Sequence, residues 1–162
     1  METLIIPAMG GKKEIYEAII PQIEAVISGE PDKIANMANI AAILREAFGM
    51  LWVGFYIVKP DTSVHGSSLV LGPFQGPLAC SRIAFGKGVC GVSWRDRATL
   101  IVPDVEKFPG HIACSSLSRS EIVVPVVKNK EVVAVLDIDS MELSSYDEVD
   151  KTYLEIIVNM LL

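Results

Sequence analysis

The sequence lacks the features that mark secreted, membrane-spanning and nucleic-acid-binding proteins. It has only three cysteines, and no basic residues precede its first apolar run. Neither a disulfide framework nor a signal peptide is therefore predicted. Every apolar run is shorter than the roughly 18 residues that a membrane span needs. The net charge is −6 and no Lys/Arg-rich run is present, which argues against nucleic-acid or membrane partners. These absences predict a soluble, cytoplasmic protein.

What the sequence does contain is typical of one globular domain. Of its 162 residues 51% are hydrophobic and 21% are charged, which argues against disorder. A chain of this length can bury a core without metals or disulfides. We therefore expect residues 1–162 to form a single domain.

The periodicity of apolar residues predicts three helices and four strands. The first helix covers residues 12–27 and buries Ile15, Ile19, Ile23 and Val26. The second follows Pro31, buries Ile34, Met37, Ala41, Leu44 and Phe48, and ends at Gly49. The last starts from a capping box at residues 145–148 and buries Leu154, Ile157, Val158 and Leu161. Strands are predicted at residues 51–58, 68–72, 120–127 and 132–139, the last two as a hairpin. This order predicts an α+β fold with a mostly antiparallel sheet. Residues 72–118 are interpreted as a long, irregular functional segment.

The predicted hairpin carries acidic residues at alternate positions. Strand alternation places Asp137 and Asp139 on one face together with Val133 and Val135. The same rule places Glu121 on one face with Val123 and Pro125, opposite Ile122 and Val124. Three carboxylates converge if these faces line one cavity, and they are merely solvated if the face is exposed. Periodicity alone leaves both interpretations open.

The three cysteines, Cys80, Cys90 and Cys114, lie in the irregular segment. They are inert buried thiols, redox groups, or zinc ligands together with His111, although the spacing lacks a paired-cysteine knuckle. His111 itself is a structural residue, a general base, or a group that lowers a thiol pKa. Trp52 and Tyr56 share a strand face, as a core pair or as a wall for an apolar ligand.

The motifs of this segment resemble those of one enzyme family. GPFQGPLACSRIAFGKGVCG (residues 72–91) is similar to a signature of the free methionine-(R)-sulfoxide reductases, which are built on a GAF domain. VPDVEKFPGHIAC, SEIVVPVV and VLDIDS continue the resemblance in order, and WVGFY fits upstream. It covers residue 51 to the C-terminus, and the N-terminal helices more loosely. It implies a GAF-like sheet of about six strands with helices packed on one side.

The resemblance also implies a role for each matching residue. Cys114 corresponds to the nucleophilic cysteine, Cys80 to the principal resolving cysteine and Cys90 to an auxiliary one. Glu121 and Asp139 correspond to acids that assist sulfoxide reduction. Asp137 corresponds to the acid that binds the substrate ammonium, and Trp52 and Tyr56 to aromatics that hold its apolar end.

An activity and its partners follow from these roles. The expected enzyme reduces free methionine sulfoxide and passes through a sulfenic acid and an intramolecular disulfide that thioredoxin reduces. No metal or organic cofactor is expected, and a homodimer through helices is common among GAF domains. One departure is Ser115, where the family usually has Asp after the nucleophile; its hydroxyl can still cap a turn. The alternatives are a GAF-type sensor that binds a small molecule without turnover, and a structural scaffold.

Overall fold

The computed structural model describes residues 3–112 and 115–162, which contain four α-helices and six strands. The helices are α1 Lys12–Ile27, α2 Lys33–Phe48, α3 Gly88–Asp96 and α4 Glu148–Asn159. The strands are β1 Trp52–Pro60, β2 Ser67–Gln75, β3 Arg82–Ala84, β4 Leu100–Val102, β5 Ser120–Lys128 and β6 Glu131–Ser140. A 3₁₀ helix at Val105–Lys107 follows β4. None of the helices within these ranges is both long and apolar enough to cross a membrane.

The strands form one antiparallel sheet in the order β3-β2-β1-β6-β5-β4. The predicted α+β class, the six strands and the antiparallel pairing are confirmed. Because β1 lies between β2 and β6, residues more than 80 positions apart become lateral neighbours, as with the pairing of Trp52 and Asp139. This crossover, which no local pattern specifies, decides which side chains meet at the site.

The two faces of the sheet are covered differently. Helices α1, α2 and α4 pack on one face, where the predicted apolar side of α4 is buried as expected. The strands contribute to this core the side chains of Val53, Phe55, Ile122, Val124, Leu136 and Ile138. Helix α3 contributes Val89, Cys90 and Trp94 to a second cluster on the other face. The expectation that the helices pack on one side therefore holds for three helices and fails for α3.

Residues 72–118 are more regular than their sequence predicted, since β3, α3 and β4 all lie within them. The two strands have three residues each, too few for alternation to be recognised. Glycine disfavours a helix, yet Gly91 is required in α3 because a Cβ there would lie 2.5 Å from the carbonyl oxygen of Ala84. Because close packing of α3 on β3 requires this glycine, the sequence of α3 does not show the residue pattern typical of a helix.

The buried sides of the first two helices differ from the prediction by small rotations. Helix α1 buries Tyr16 and Ile27 with the expected central isoleucines, while Val26 is 47% exposed. The ring centroid of Tyr16 lies 4.5 Å from that of Phe48 in α2, so the Tyr16 side of the helix faces the core. In α2, Ile34 is exposed and does not belong to the core.

The helix ends follow ordinary capping chemistry. Asp32 caps α2 by accepting from the backbone N–H of Ile34 at 2.7 Å, and Gly49 ends it at φ 64° as predicted. The capping box of α4 is formed by Asp147 and Asp150, so the predicted box at residues 145–148 is shifted by two positions. Either arrangement satisfies the first backbone N–H groups of the helix.

A β-bulge reverses the predicted side of Val132. Val126 pairs with Ala134 but Val127 pairs with Val132, which leaves Val133 as an extra residue in β6. The inserted residue flips the alternation beyond it. Val132 therefore packs in the α3-side cluster, although strict alternation had placed it with Ala134.

Candidate active site

The acidic side chains of β5 and β6 lie beside each other on the α3 side of the sheet. Asp139 pairs in register with Glu121 on one side and with Trp52 on the other. Asp137, two residues earlier on the same face, pairs with Gly54. Glu121 and Asp137 are buried, and all three acids line one cavity. The alternative of a solvated acidic face is therefore wrong.

About 40 Å³ of the cavity is accessible to water. Side chains from β1, β5, β6, α3 and the adjoining loops surround it. Besides the acids, the lining includes Trp52, Tyr56, Cys90, Leu78, His111, Ile112, Ser115 and Ser118. Polar groups thus line one part of the cavity and apolar or aromatic groups the rest, a combination typical of small-molecule sites.

Two aromatic side chains form a wall of the cavity. The rings of Trp52 and Tyr56 lie with centroids 5.9 Å apart, and Phe74 stacks behind Trp52 at 5.4 Å. The indole N–H of Trp52 donates to the carbonyl oxygen of Pro77 at 3.1 Å, and the Tyr56 hydroxyl donates to that of Cys80 at 3.0 Å. Both polar ends are satisfied by the loop after β2, so the rings present apolar surface to the cavity.

The absence of a side chain at Gly54 leaves space for the Trp52 ring. A Cβ on Gly54 would lie 2.6 Å from the Trp52 indole and 2.4 Å from the Cβ of Phe74. Gly54 is also the lateral neighbour of Asp137. The glycine therefore lets the Trp52 indole lie across the strand that adjoins the acids.

The environment of the acids favours their protonated forms. Burial raises the pKa of Glu121 and of Asp137 well above ordinary carboxyl values, and repulsion from neighbouring acids adds to this. A hydrogen bond between the two raises the pKa of Glu121 and lowers that of Asp137, as expected if Glu121 is the donor. Burial raises the pKa of Asp139 to about 6, against the opposing effect of a hydrogen bond from Ser118. The group therefore holds protons at neutral pH that separate carboxyls would lose.

One oxygen of Asp137 has no hydrogen bond. Its Oδ1 is buried and has no partner among the residues that the structure describes. An unsatisfied buried acceptor costs about 1–3 kcal/mol, so Asp137 is suited to receive a donor from a ligand.

The cysteines lie in different surroundings. Cys90 is a free thiol in α3, and burial, then Asp137 and Glu121, raise its pKa well above that of an ordinary cysteine. Cys80 is half-buried and disulfide-bonded. Cys114, the predicted nucleophile, lies outside the described residues.

A metal ion would need to compete with protons in this cavity. Among the described residues, Cys90, Glu121 and Asp137 have possible ligand atoms within 4.8 Å of one another. The raised pKa values of Cys90 and Glu121 mean that a metal would have to displace both protons to bind. Neither Cys80 nor His111 joins this group, so the described residues do not assemble the zinc site considered from the sequence.

Two serine residues at the cavity edge make hydrogen bonds, and the sequence predicted only that of Ser115. The Ser118 hydroxyl donates to Asp139. Nothing in its local sequence distinguishes Ser118 from the neighbouring serines. Ser115 accepts from the backbone N–H of Leu117 at 3.2 Å, which confirms that its hydroxyl can cap a turn here.

Comparison with known proteins identifies the fold and the family. A family model described as GAF domain matches residues 37–161. GAF domain-containing protein A of Dictyostelium discoideum is 57% identical and covers 94% of this chain and 93% of its own. Free methionine-R-sulfoxide reductase of Saccharomyces cerevisiae is 41% identical and covers 89% and 82%. The X-ray structure of free methionine-R-sulfoxide reductase from Neisseria meningitidis, in complex with its substrate, has a TM-score of 0.92 at 50% identity and covers 99% and 93%.

The six-stranded antiparallel sheet and the family match define a GAF domain. At these identities and coverages, the chain belongs, within the GAF-domain proteins, to the free methionine-R-sulfoxide reductase family.

Proposed function

We propose that this chain reduces free methionine-R-sulfoxide to methionine by cysteine chemistry. The proposal is supported most directly by the convergence of three carboxyl groups with raised pKa values on a cavity walled by two aromatic rings. The free amino acid has an ammonium group, a sulfoxide oxygen and an apolar methylthio end. The cavity offers each of these a chemically matched partner.

Asp137 receives the substrate ammonium in this account. Its unpartnered Oδ1 gains a charge-assisted hydrogen bond, and the positive charge favours its ionised form. Trp52 and Tyr56 hold the methyl end. A methionine residue inside a protein has no ammonium and would leave Asp137 unpaired, so we expect selectivity for the free amino acid.

Cys114 supplies the nucleophile. Its thiolate attacks the sulfoxide sulfur, and Glu121 and Asp139 deliver a proton to the oxygen as negative charge develops there. The sulfoxide gains two electrons and leaves as methionine, while Cys114 keeps the oxygen as a sulfenic acid. The raised pKa of Glu121 suits a proton donor at neutral pH.

Cys80 resolves the sulfenic acid. Its thiol condenses with Cys114, releasing water and forming a disulfide, which the dithiol of thioredoxin reduces by exchange. The disulfide-bonded state of Cys80 and its place beside the cavity support this assignment. Cys90, whose raised thiol pKa leaves little thiolate, has at most an auxiliary part in this step.

The experiment measures methionine formed from free methionine-R-sulfoxide, with and without thioredoxin, thioredoxin reductase and NADPH. The wild type should turn over with the full system. Cys114→Ser should form no methionine, because a serine hydroxyl is a poor nucleophile at neutral pH.

Cys80→Ser should form about one methionine per chain and then stop as the sulfenic acid, and Cys90→Ser is the matched control that should keep turning over. A chain that binds the sulfoxide without consuming NADPH would instead be a sensor. Normal turnover by Cys114→Ser would refute the assignment of the nucleophile.

A further inference from the structure

His111 lies beside Glu121, the proton donor of the proposed reaction, and the proposed mechanism does not use its side chain. Its Nε2 is 3.9 Å from Oε2 of Glu121, and the two side chains are only 16% and 8% exposed. The backbone N–H of His111 donates to the carbonyl oxygen of Phe108 at 3.1 Å, which fixes the loop. Within residues 3–112 and 115–162 the imidazole makes no other polar contact.

This contact is not an ion pair at neutral pH. Burial lowers the pKa of His111, while burial and the other acids raise that of Glu121, so both groups are neutral. A neutral imidazole keeps one N–H to donate. The other titratable cavity groups that interact with Glu121 are Asp137 and Asp139 from β6, Cys90 from α3 and Tyr56 from β1, and none of them is basic. Among the described residues that line the cavity, His111 is the only basic one.

We propose that His111 is a positioning residue whose Nε2–H donates to the Glu121 carboxyl group while Glu121 gives its proton to the sulfoxide oxygen. The inference rests on the proposed function. Proton transfer leaves Glu121 as a buried carboxylate beside two other acids, and a fixed donor stabilises that charge as it forms. The separation of 3.9 Å must close to about 2.9 Å for this hydrogen bond, and catalytic hydrogen bonds often tighten when substrate binds.

The test compares His111→Leu, which has no donor, with His111→Gln, whose amide N–H can take the place of Nε2–H. Because the lost contact acts in the transition state, His111→Leu should lower kcat about 10–100-fold and change KM by less than about twofold. His111→Gln should keep at least about a third of the wild-type kcat.

A double-mutant cycle separates positioning of Glu121 from any general effect. In a Glu121→Gln background, His111→Leu should cost less than about twofold in kcat, because the group that it acts on is gone. Equal losses in the Leu and Gln variants, or an undiminished loss in the Glu121→Gln background, would overturn the proposal.

The controls distinguish this inference from its foundation. Thermal unfolding of both His111 variants should stay within a few degrees of wild type, since the side chain lies in a loop at the cavity edge. A wild-type chain that fails to reduce free methionine-R-sulfoxide would remove both the proposed function and the role of His111. An active wild type with no His111 effect would remove only the latter.

Discussion

The two faces of the β5–β6 hairpin are both buried but differ in their chemistry. Toward α1, α2 and α4 the strands present Ile122, Leu136 and Ile138, all fully buried. One residue away along the same strands, Glu121 and Asp137 are also buried but on the cavity side. The alternation of side chains along these strands thus places an apolar core on one face and an acidic cavity on the other.

The comparison shows that burial has opposite consequences on the two faces. On the helix-covered face it stabilises the fold through the hydrophobic effect. On the cavity face it raises the pKa of each acid and makes the ionised form costly in the folded state. The core face therefore stabilises the arrangement of acids that the proposed proton transfer requires.

The largest effect is expected from Glu121→Gln, which keeps the shape of the side chain but removes the acidic proton. Loss of a general acid should lower kcat by about 10²–10⁴-fold with little change in KM. Stability at neutral pH should change little, since the neutral amide replaces a carboxyl group that burial and its acidic neighbours already keep protonated. Steady-state kinetics and thermal unfolding check both parts. A variant with near-normal kcat, or one that is strongly destabilised, would break the contrast between the faces.

The opposite result is expected from Leu136→Ala on the core face. The side chain is fully buried, so truncation should lower the free energy of unfolding by about 2–5 kcal/mol. The folded fraction should retain wild-type kcat and KM. Denaturant unfolding with activity measured below the transition tests this, and a large kcat loss without loss of stability would show that the two faces are not separate.

A pH dependence should distinguish the faces more finely. The pKa of Asp139 is raised from 3.8 to about 6 in the folded chain, so the folded state binds its proton more tightly than the unfolded state does. Its contribution is fully present below about pH 4 and is lost as the pH rises through 6, a change of up to about 3 kcal/mol.

Asp139→Asn should make this decline shallower when unfolding is measured from pH 4 to 7, and the raised pKa values of Glu121 and Asp137 should account for the part that remains. Leu136→Ala should lower stability at every pH and keep the decline. A wild-type stability that rises across this range would contradict the raised pKa of Asp139 as its main contribution.

The hairpin and its acids could be predicted because both depend on local patterns. Alternation identified the shared face of Asp137 and Asp139, and the link after β5 was recognised by its polar residues. The turn consists of Asn129 and Lys130 at φ 51° and 67°, the left-handed conformations that a two-residue hairpin requires. Val132 was misplaced because a bulge has no signature in a stretch of similar apolar residues such as Val132 to Val135.

The rest of the site depends on contacts between distant segments. Placing Trp52 beside Asp139 requires β1 to pair with β6 across the chain, which periodicity cannot specify. Helix α3 was missed because close packing against β3 requires a glycine at position 91. The site roles were expected from resemblance, and the geometry of His111 and Ser118 became visible only in the folded chain.

The central claim is that buried carboxyl groups recognise a free amino acid sulfoxide, and one measurement tests it directly. This is the steady-state comparison of kcat/KM for free, N-acetylated and peptide-bound methionine-R-sulfoxide with the thioredoxin system. Since only the free amino acid offers an ammonium to Asp137 Oδ1, the other two should be at least about a hundredfold poorer. Equal efficiency on all three substrates would contradict the account and leave a general sulfoxide reductase.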